Sequence, residues 1–426
     1  MRWVVPAFLL LISTAHAADW PRFLGPNGDG TTAEKAPTNW PKAGLKELWN
    51  APLGLGYPPP SIADGKLYHF DRFDEKCRLT CRDAATGKEI WKSEFPTDYT
   101  DMYGYDSGPR CCPVIDRGRV FVHDPAGFLA CVSASDGKPV WTLDTRKTYR
   151  FQQNFFGVGS TPCVEGDTLI VAVGGSPPGR EADFQRIRPN GTCLVGLDVA
   201  TGKERWRLGD DLASYSSPIV VTMNGKRVGL YFARGGLIGF DPGAGKELFR
   251  HPWRARLLES VNAANPVVSG NQILLSESYQ VGSTLLQWDG TTLKTVWSDK
   301  DKERVDMAML AHWCTPILSD GHFYGSSGRH TNDADLRCVE LATGTVKWIE
   351  TRTTRCTLIK CGDHLLCLGE NGELRLLKPN AAKYEEIARC EVDLAHPTWA
   401  PPVVSDGKLY LRGKERLRCY SFSADK

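Results

Sequence analysis

One phrase recurs along this chain and constrains its fold more than any other feature: a Pro, two or three apolar residues, a tight turn, then an apolar strand. It reads PSIADGKLY at Pro60, PVIDRGRVF at Pro113, PCVEGDTLI at Pro162, PIVVTMNGKRVGLYF at Pro218, PVVSGNQIL at Pro266, PILSDGHFY at Pro316, TLIKCGDHLL at Thr357 and PVVSDGKLY at Pro402. The eight copies start 41 to 56 residues apart, about 49 on average, the period of a four-stranded propeller blade rather than of a helical solenoid. Asp-Gly between β-rich runs closes a hairpin, because Gly accepts the positive φ that such a turn needs.

A second phrase follows in most copies: DAATGKEIW ending at Trp91, SASDGKPVW at Trp141, DVATGKERW at Trp206, DPGAGKELF at Phe249, DGTTLKTVW at Trp297 and ELATGTVKW at Trp348. It predicts a second hairpin and an outer strand whose aromatic residue docks on the neighbouring blade, worth about 1.5–3 kcal/mol of apolar burial each. The last copy has no aromatic strand, while KELWNAPL around Trp49 has no hairpin before it. An N-terminal strand therefore supplies the missing one and pairs two otherwise open edges. The expected fold is all-β: an eight-bladed β-propeller of four-stranded antiparallel blades over residues 45–426, closed by the N-terminal strand.

Arg2, the apolar run Val4 to Ile12 and the small-x-small site Ala15-His16-Ala17 read as a signal peptide over residues 1–17, leaving 18–44 as an N-terminal extension. No Cys stands at the start of the mature chain to carry a lipid, and no later run approaches the ~18 apolar residues of a membrane span. A periplasmic or secreted monomer is expected. Charged residues are 24% with a net charge of +2, and the signs are mixed, so no polybasic stretch is present for a phosphate backbone and nucleic acid is not an expected partner. The 14 Cys show no CxxC or CxxCH spacing, which disfavours structural zinc and haem attachment.

In a propeller the tight turns gather on one face, and the longer connections between blades gather on the other. Here the second face carries 96–110, 251–265 and 174–191, all long, polar and aromatic. Loops mounted on a rigid scaffold are the usual place for recognition. Residues entering the inner strands are expected to ring a central funnel and bind a ligand there: Tyr57, Arg110, Tyr215, Asn262, His312, Trp313, Arg355 and Trp399. No nucleophile elbow, HExxH motif or phosphate-cradling loop is present, and no catalytic residue or metal ligand is assigned.

The D-x-x-T-G-K-x-x-W phrase resembles the repeat of the pyrroloquinoline quinone (PQQ)-like propeller superfamily, which contains quinoprotein alcohol dehydrogenases and the barrel-assembly protein BamB. The opening DWPRFLGPNGDG, with FFGVGSTP, ASYSSPIV and ESVNAANPVV, resembles an exported, planctomycete-type group of PQQ-binding-like repeat proteins. In the dehydrogenases an adjacent cysteine pair covers the quinone, so Cys111 and Cys112 carry three readings: a vicinal disulfide, a PQQ lid, or plain packing. The packing reading has support in the repeat itself, where the same two positions hold Ser160-Thr161, Ser216-Ser217, Ala264-Asn265 and Cys314-Thr315. The resemblance implies either a non-catalytic scaffold binding a protein, peptide or glycan through the loop-rich face, with no cofactor, or a PQQ- and calcium-dependent alcohol or sugar dehydrogenase. Carboxylates in the right region, Asp106, Glu259 and Asp306, follow no family motif.

Overall fold

The computed structural model describes residues 19–151, 155–177, 187–257 and 259–423; the signal peptide expected at 1–17 and the middle of the 174–191 loop lie outside these. Eight four-stranded antiparallel sheets form the ring that the repeat spacing predicts. Seven are consecutive in sequence and span 61–96, 114–144, 163–208, 219–252, 267–298, 317–350 and 356–391. The eighth joins Val403–Ser405, Lys408–Arg412 and Arg416–Ser421 to Glu47–Pro52. Helix is limited, among the described residues, to Thr145–Tyr149 and two 3-10 turns.

The two repeated phrases each do one mechanical job. Asp64 and Gly65 (φ 51° and 70°) and Asp406 and Gly407 (φ 53° and 63°) turn the inner hairpins with both central residues in the left-handed region. In every blade the pairing of the third and outer strands slips by one residue beside the aromatic position, as between Pro139 and Trp141. A bulge of this kind re-aims a side chain, here from its own sheet toward the next blade. It also exposes the residue before it, which accounts for the solvent-facing Ile90, Val140, Leu248 and Val296.

The N-terminal segment is more than a connector. Trp20, 1% exposed, bridges to Ile62 of the first blade's inner strand, and the Ile115 N–H of the second donates to Pro21 O at 2.8 Å. Thr31–Thr32 pairs in parallel with Lys360 and Cys361 of the seventh blade. Glu34 accepts the Gly407 N–H of the eighth at 2.8 Å. Residues 19–34 thus cross from blade to blade inside the ring and plug the channel on the tight-turn side.

A belt of hydrogen bonds rings the channel beside this plug. The Cys112 N–H donates to Thr161 Oγ1 (3.2 Å), Thr161 N–H to Ser217 Oγ (3.0 Å), Ser217 N–H to Asn265 Oδ1 (2.8 Å) and Asn265 N–H to Thr315 Oγ1 (3.0 Å). Each residue immediately precedes its blade's Pro. The column needs short polar side chains because each one caps a backbone N–H of the blade before it.

Candidate binding cavity

The inner strands deliver their preceding residues to one place on the loop-rich face. Tyr57, Arg110, Tyr215, His312, Trp313, Arg355 and Trp399 all line one cavity of about 550 Å³. Its floor is Phe23 and Leu24 of the plug, so the cavity is blind. Asn262 is not on the wall. It is fully buried, and its Nδ2 donates to Ala233 O (2.8 Å) and Trp253 O (3.2 Å), pinning the loop that follows the fourth blade.

Rings form a continuous arc along one side. Tyr57 meets Trp399 at 4.8 Å between centroids, Trp399 meets Trp313 at 5.2 Å, Trp313 meets His312 at 5.0 Å and His312 meets Tyr279 at 5.5 Å. A second patch joins Phe156 to Tyr215 at 5.7 Å, and the Tyr215 hydroxyl accepts the Phe156 N–H at 2.7 Å. Exposed Tyr105 extends this patch to the rim.

Guanidinium groups punctuate the arc. Arg110 lies 5.7 Å from the Tyr57 centroid, Arg355 4.4 Å from Trp313 and Arg329 4.4 Å from Tyr279. Such stacking leaves a cation's edge available for hydrogen bonds. Two of the three edges are already engaged. Arg110 donates to Asp101 at 2.8 Å, and Arg355 donates to Glu370 at 2.7 Å, with Trp399 Nε1 reaching the same carboxylate at 2.9 Å. Burial works to raise the Glu370 carboxyl, but the hydrogen bonds from Arg355 and Trp399 outweigh it and hold the group below the usual carboxylate range. Both acids sit behind the wall: none of the described residues lining the cavity is a carboxylate.

His312 is neutral. Burial, then the charges of Arg355 and Arg329, push it down to about 3. Its Nε2 meets the Tyr279 hydroxyl at 3.2 Å. Burial also raises the Tyr57 phenol, helped by Asp106. The wall therefore offers stacking faces and fixed donors rather than a base poised near neutrality.

Cys111 and Cys112 lie outside the cavity lining as two separate, buried thiols. Cys111 Sγ donates to Ser160 O at 3.2 Å, while Cys112 Sγ meets Thr161 Oγ1 at 3.8 Å. Burial raises both thiols. Among the described residues no cluster of three or more His, Cys, Asp or Glu is placed to hold a metal ion. A quinone clamped by a cation and covered by this pair does not fit the residues present.

Tyr279, Arg329, Tyr105, Phe156 and the Phe23-Leu24 floor were not among the expected funnel residues. Phe156 and Phe23 lie inside the FFGVGSTP and DWPRFLGPNGDG phrases that carry the family resemblance, which is the signal that could have singled them out; Tyr279 and Arg329 lie in loops between second and third strands and carry no repeat signal.

The family model described as outer membrane protein assembly factor BamB matches residues 75–350. The quinohemoprotein alcohol dehydrogenase ADH-IIG of Pseudomonas putida is 27% identical over 237 residues, 48% of this chain and 30% of that protein. The outer membrane protein assembly factor BamB of Shewanella oneidensis is 20% identical over 392 residues, 86% of each chain. Among solved structures, the quinohemoprotein alcohol dehydrogenase of Comamonas testosteroni superposes with a TM-score of 0.63 at 13% identity, covering 96% of this chain and 81% of that one. The aligned stretch thus spans less than a third of the Pseudomonas dehydrogenase, and the structural likeness carries the propeller fold.

Proposed function

Because this chain belongs to the family described as outer membrane protein assembly factor BamB, we propose that it is an exported, non-catalytic propeller that binds a polypeptide segment through its loop-rich face. The observation that carries this reading is the ring arc from Tyr57 to Tyr279 above a sealed floor. Large rigid aromatic faces beside fixed donors suit side-chain capture, because they offer contact area with little rotamer entropy to lose. Export rests on the leader-like residues 1–17; in addition, no helix among the described residues is long and apolar enough to cross a membrane.

The test is panning a random peptide library against the purified protein and against its Trp313→Ala, Trp399→Ala double variant. Enrichment of a shared sequence on the native protein is expected, with binding reduced about tenfold or more in a variant that still unfolds cooperatively. No enrichment overturns the reading.

The second reading, a PQQ-dependent alcohol or sugar dehydrogenase with the quinone in the funnel, is favoured by the identity to the Pseudomonas enzyme over nearly half of this chain. Against it stand the acid-free wall and the absence of Cys111 and Cys112 from the described lining. Calorimetric titration with PQQ, with and without calcium, is expected to show no saturation. Saturable micromolar binding lost on replacing the two cysteines would put this reading first.

A further inference from the structure

The cavity is closed below and unbalanced in charge, and these two facts together narrow its occupant. With Phe23 and Leu24 across the floor, a ligand enters and leaves by the same opening, and no chain threads through the ring. A volume of about 550 Å³ is the size that encloses a drug-sized ligand, so the site holds the end of a chain rather than a folded surface.

The charge is carried by Arg329. Arg110 and Arg355 are neutralised by Asp101 and Glu370 from behind the wall. Among the described residues no hydrogen bond or ion pair engages the half-buried Arg329 guanidinium, whose contact is the Tyr279 ring. Five donors beside an apolar surface, with no carboxylate among the described lining residues, favour an anion in the cavity. A planar guanidinium edge matches a carboxylate in two parallel hydrogen bonds. The neutral His312 and the rings on either side leave the rest of the pocket suited to apolar or aromatic side chains.

We infer that this cavity captures the C-terminal carboxylate of a peptide whose last side chains are apolar or aromatic, with Arg329 as its counter-ion. The inference rests on the peptide-binding reading above and specifies the group that is recognised. A chain end brings an anion and an apolar residue into a dead-ended pocket through one strand, which neither an internal loop nor a neutral glycan does.

Fluorescence anisotropy of three labelled peptides tests it: one ending in Tyr-Phe with a free carboxylate, the same peptide as its C-terminal amide, and an amidated peptide ending in Glu. The free acid is expected to bind about tenfold or more tighter than its amide. Arg329→Gln should abolish that ratio with the melting temperature unchanged, and Arg329→Lys should restore part of it. Equal binding of acid and amide, or an unchanged ratio in Arg329→Gln, overturns the carboxylate assignment while the protein remains a peptide binder. Tightest binding of the Glu-ended amide overturns the terminal assignment in favour of a side-chain carboxylate. Binding of no peptide, with or without binding of an oligogalacturonate, overturns this inference and the peptide-binding reading together.

Discussion

Gly202 of the third blade lies flat on the indole of Trp141 of the second: a Cβ placed on it would stand 2.7 Å from the ring. The same approach joins Gly87 to Trp49, Gly137 to Trp91, Gly245 to Trp206 and Gly344 to Trp297. The indole N–H then donates into the neighbouring turn, from Trp141 to Val199 O at 3.0 Å and from Trp297 to Leu341 O at 2.7 Å. Trp348 donates to Asn380 O, and Phe249 packs on Trp288 at 5.2 Å where no indole is available. The Gly and the aromatic residue of the repeated phrase are therefore two halves of one joint, made across each blade boundary rather than within a blade.

Gly202→Ala should accordingly cost about 2 kcal/mol, from the left-handed φ of 70° and the collision with Trp141 together. Trp141→Phe keeps the ring but loses the bond to Val199, and about 1 kcal/mol is expected. Urea unfolding followed by tryptophan fluorescence measures both. A Gly202→Ala midpoint equal to the native one would show that the joint yields without cost.

The plug makes a separate prediction. Trp20 is among the largest fully buried side chains and anchors residues 19–34 against the first blade. Truncation to Ala should cost about 3–5 kcal/mol, as for other buried aromatic residues. A loss below about 1 kcal/mol in the unfolding midpoint would mean that the channel stays closed without this anchor.

Much of this architecture was legible before any coordinates. Blade number, blade boundaries and closure through Trp49 follow from turns and aromatic residues that recur because each blade solves the same packing problem. Seven of the eight expected funnel residues share one wall because they stand two to four residues ahead of the repeated phrase that opens an inner strand. Asn262 lies in the same stretch ahead of Pro266, but its amide is turned away from the cavity, to Ala233 O of the fourth blade and Trp253 O just after that blade. Tyr279 and Arg329 were illegible for the opposite reason: they stand in loops whose length varies from blade to blade, so periodicity says nothing of them. The floor was hidden because Phe23 belongs to no blade, and its segment makes its contacts with strands hundreds of residues apart.

Asn262 and Trp313 should therefore separate cleanly. Asn262→Ala leaves the buried Trp253 carbonyl without its Asn262 donor and removes one of two donors from Ala233 O, and should lower stability by about 2–3 kcal/mol. Trp313→Ala removes a half-buried ring of the cavity wall, and His312→Ala removes its neighbour; both should weaken ligand binding while the melting temperature stays nearly constant. A large fall in melting temperature for His312→Ala and Trp313→Ala would make them core residues.

The loop that carries Tyr279 is held by a buried acid, and this gives the cavity a pH dependence. Glu277 accepts the Tyr279 N–H at 2.7 Å and the Val281 N–H at 2.5 Å. Burial pushes its carboxyl up from an ordinary 4.5 to about 7 in spite of these donors. The folded state then binds a proton between those values that the unfolded chain has released, so stability from this group is complete below about 4.5 and is lost as pH rises through 7. The full swing is about 3 kcal/mol. Asp124, raised by burial to about 6, acts in the same direction at slightly lower pH. Glu277→Gln cannot ionise. Its melting temperature relative to the native protein should climb by a few degrees between pH 5 and pH 8, because only the native chain is penalised as the buried carboxylate ionises. A difference that stays flat across that range would show that the acid is solvated in the folded state, and the Tyr279 loop would then have no proton-linked anchor.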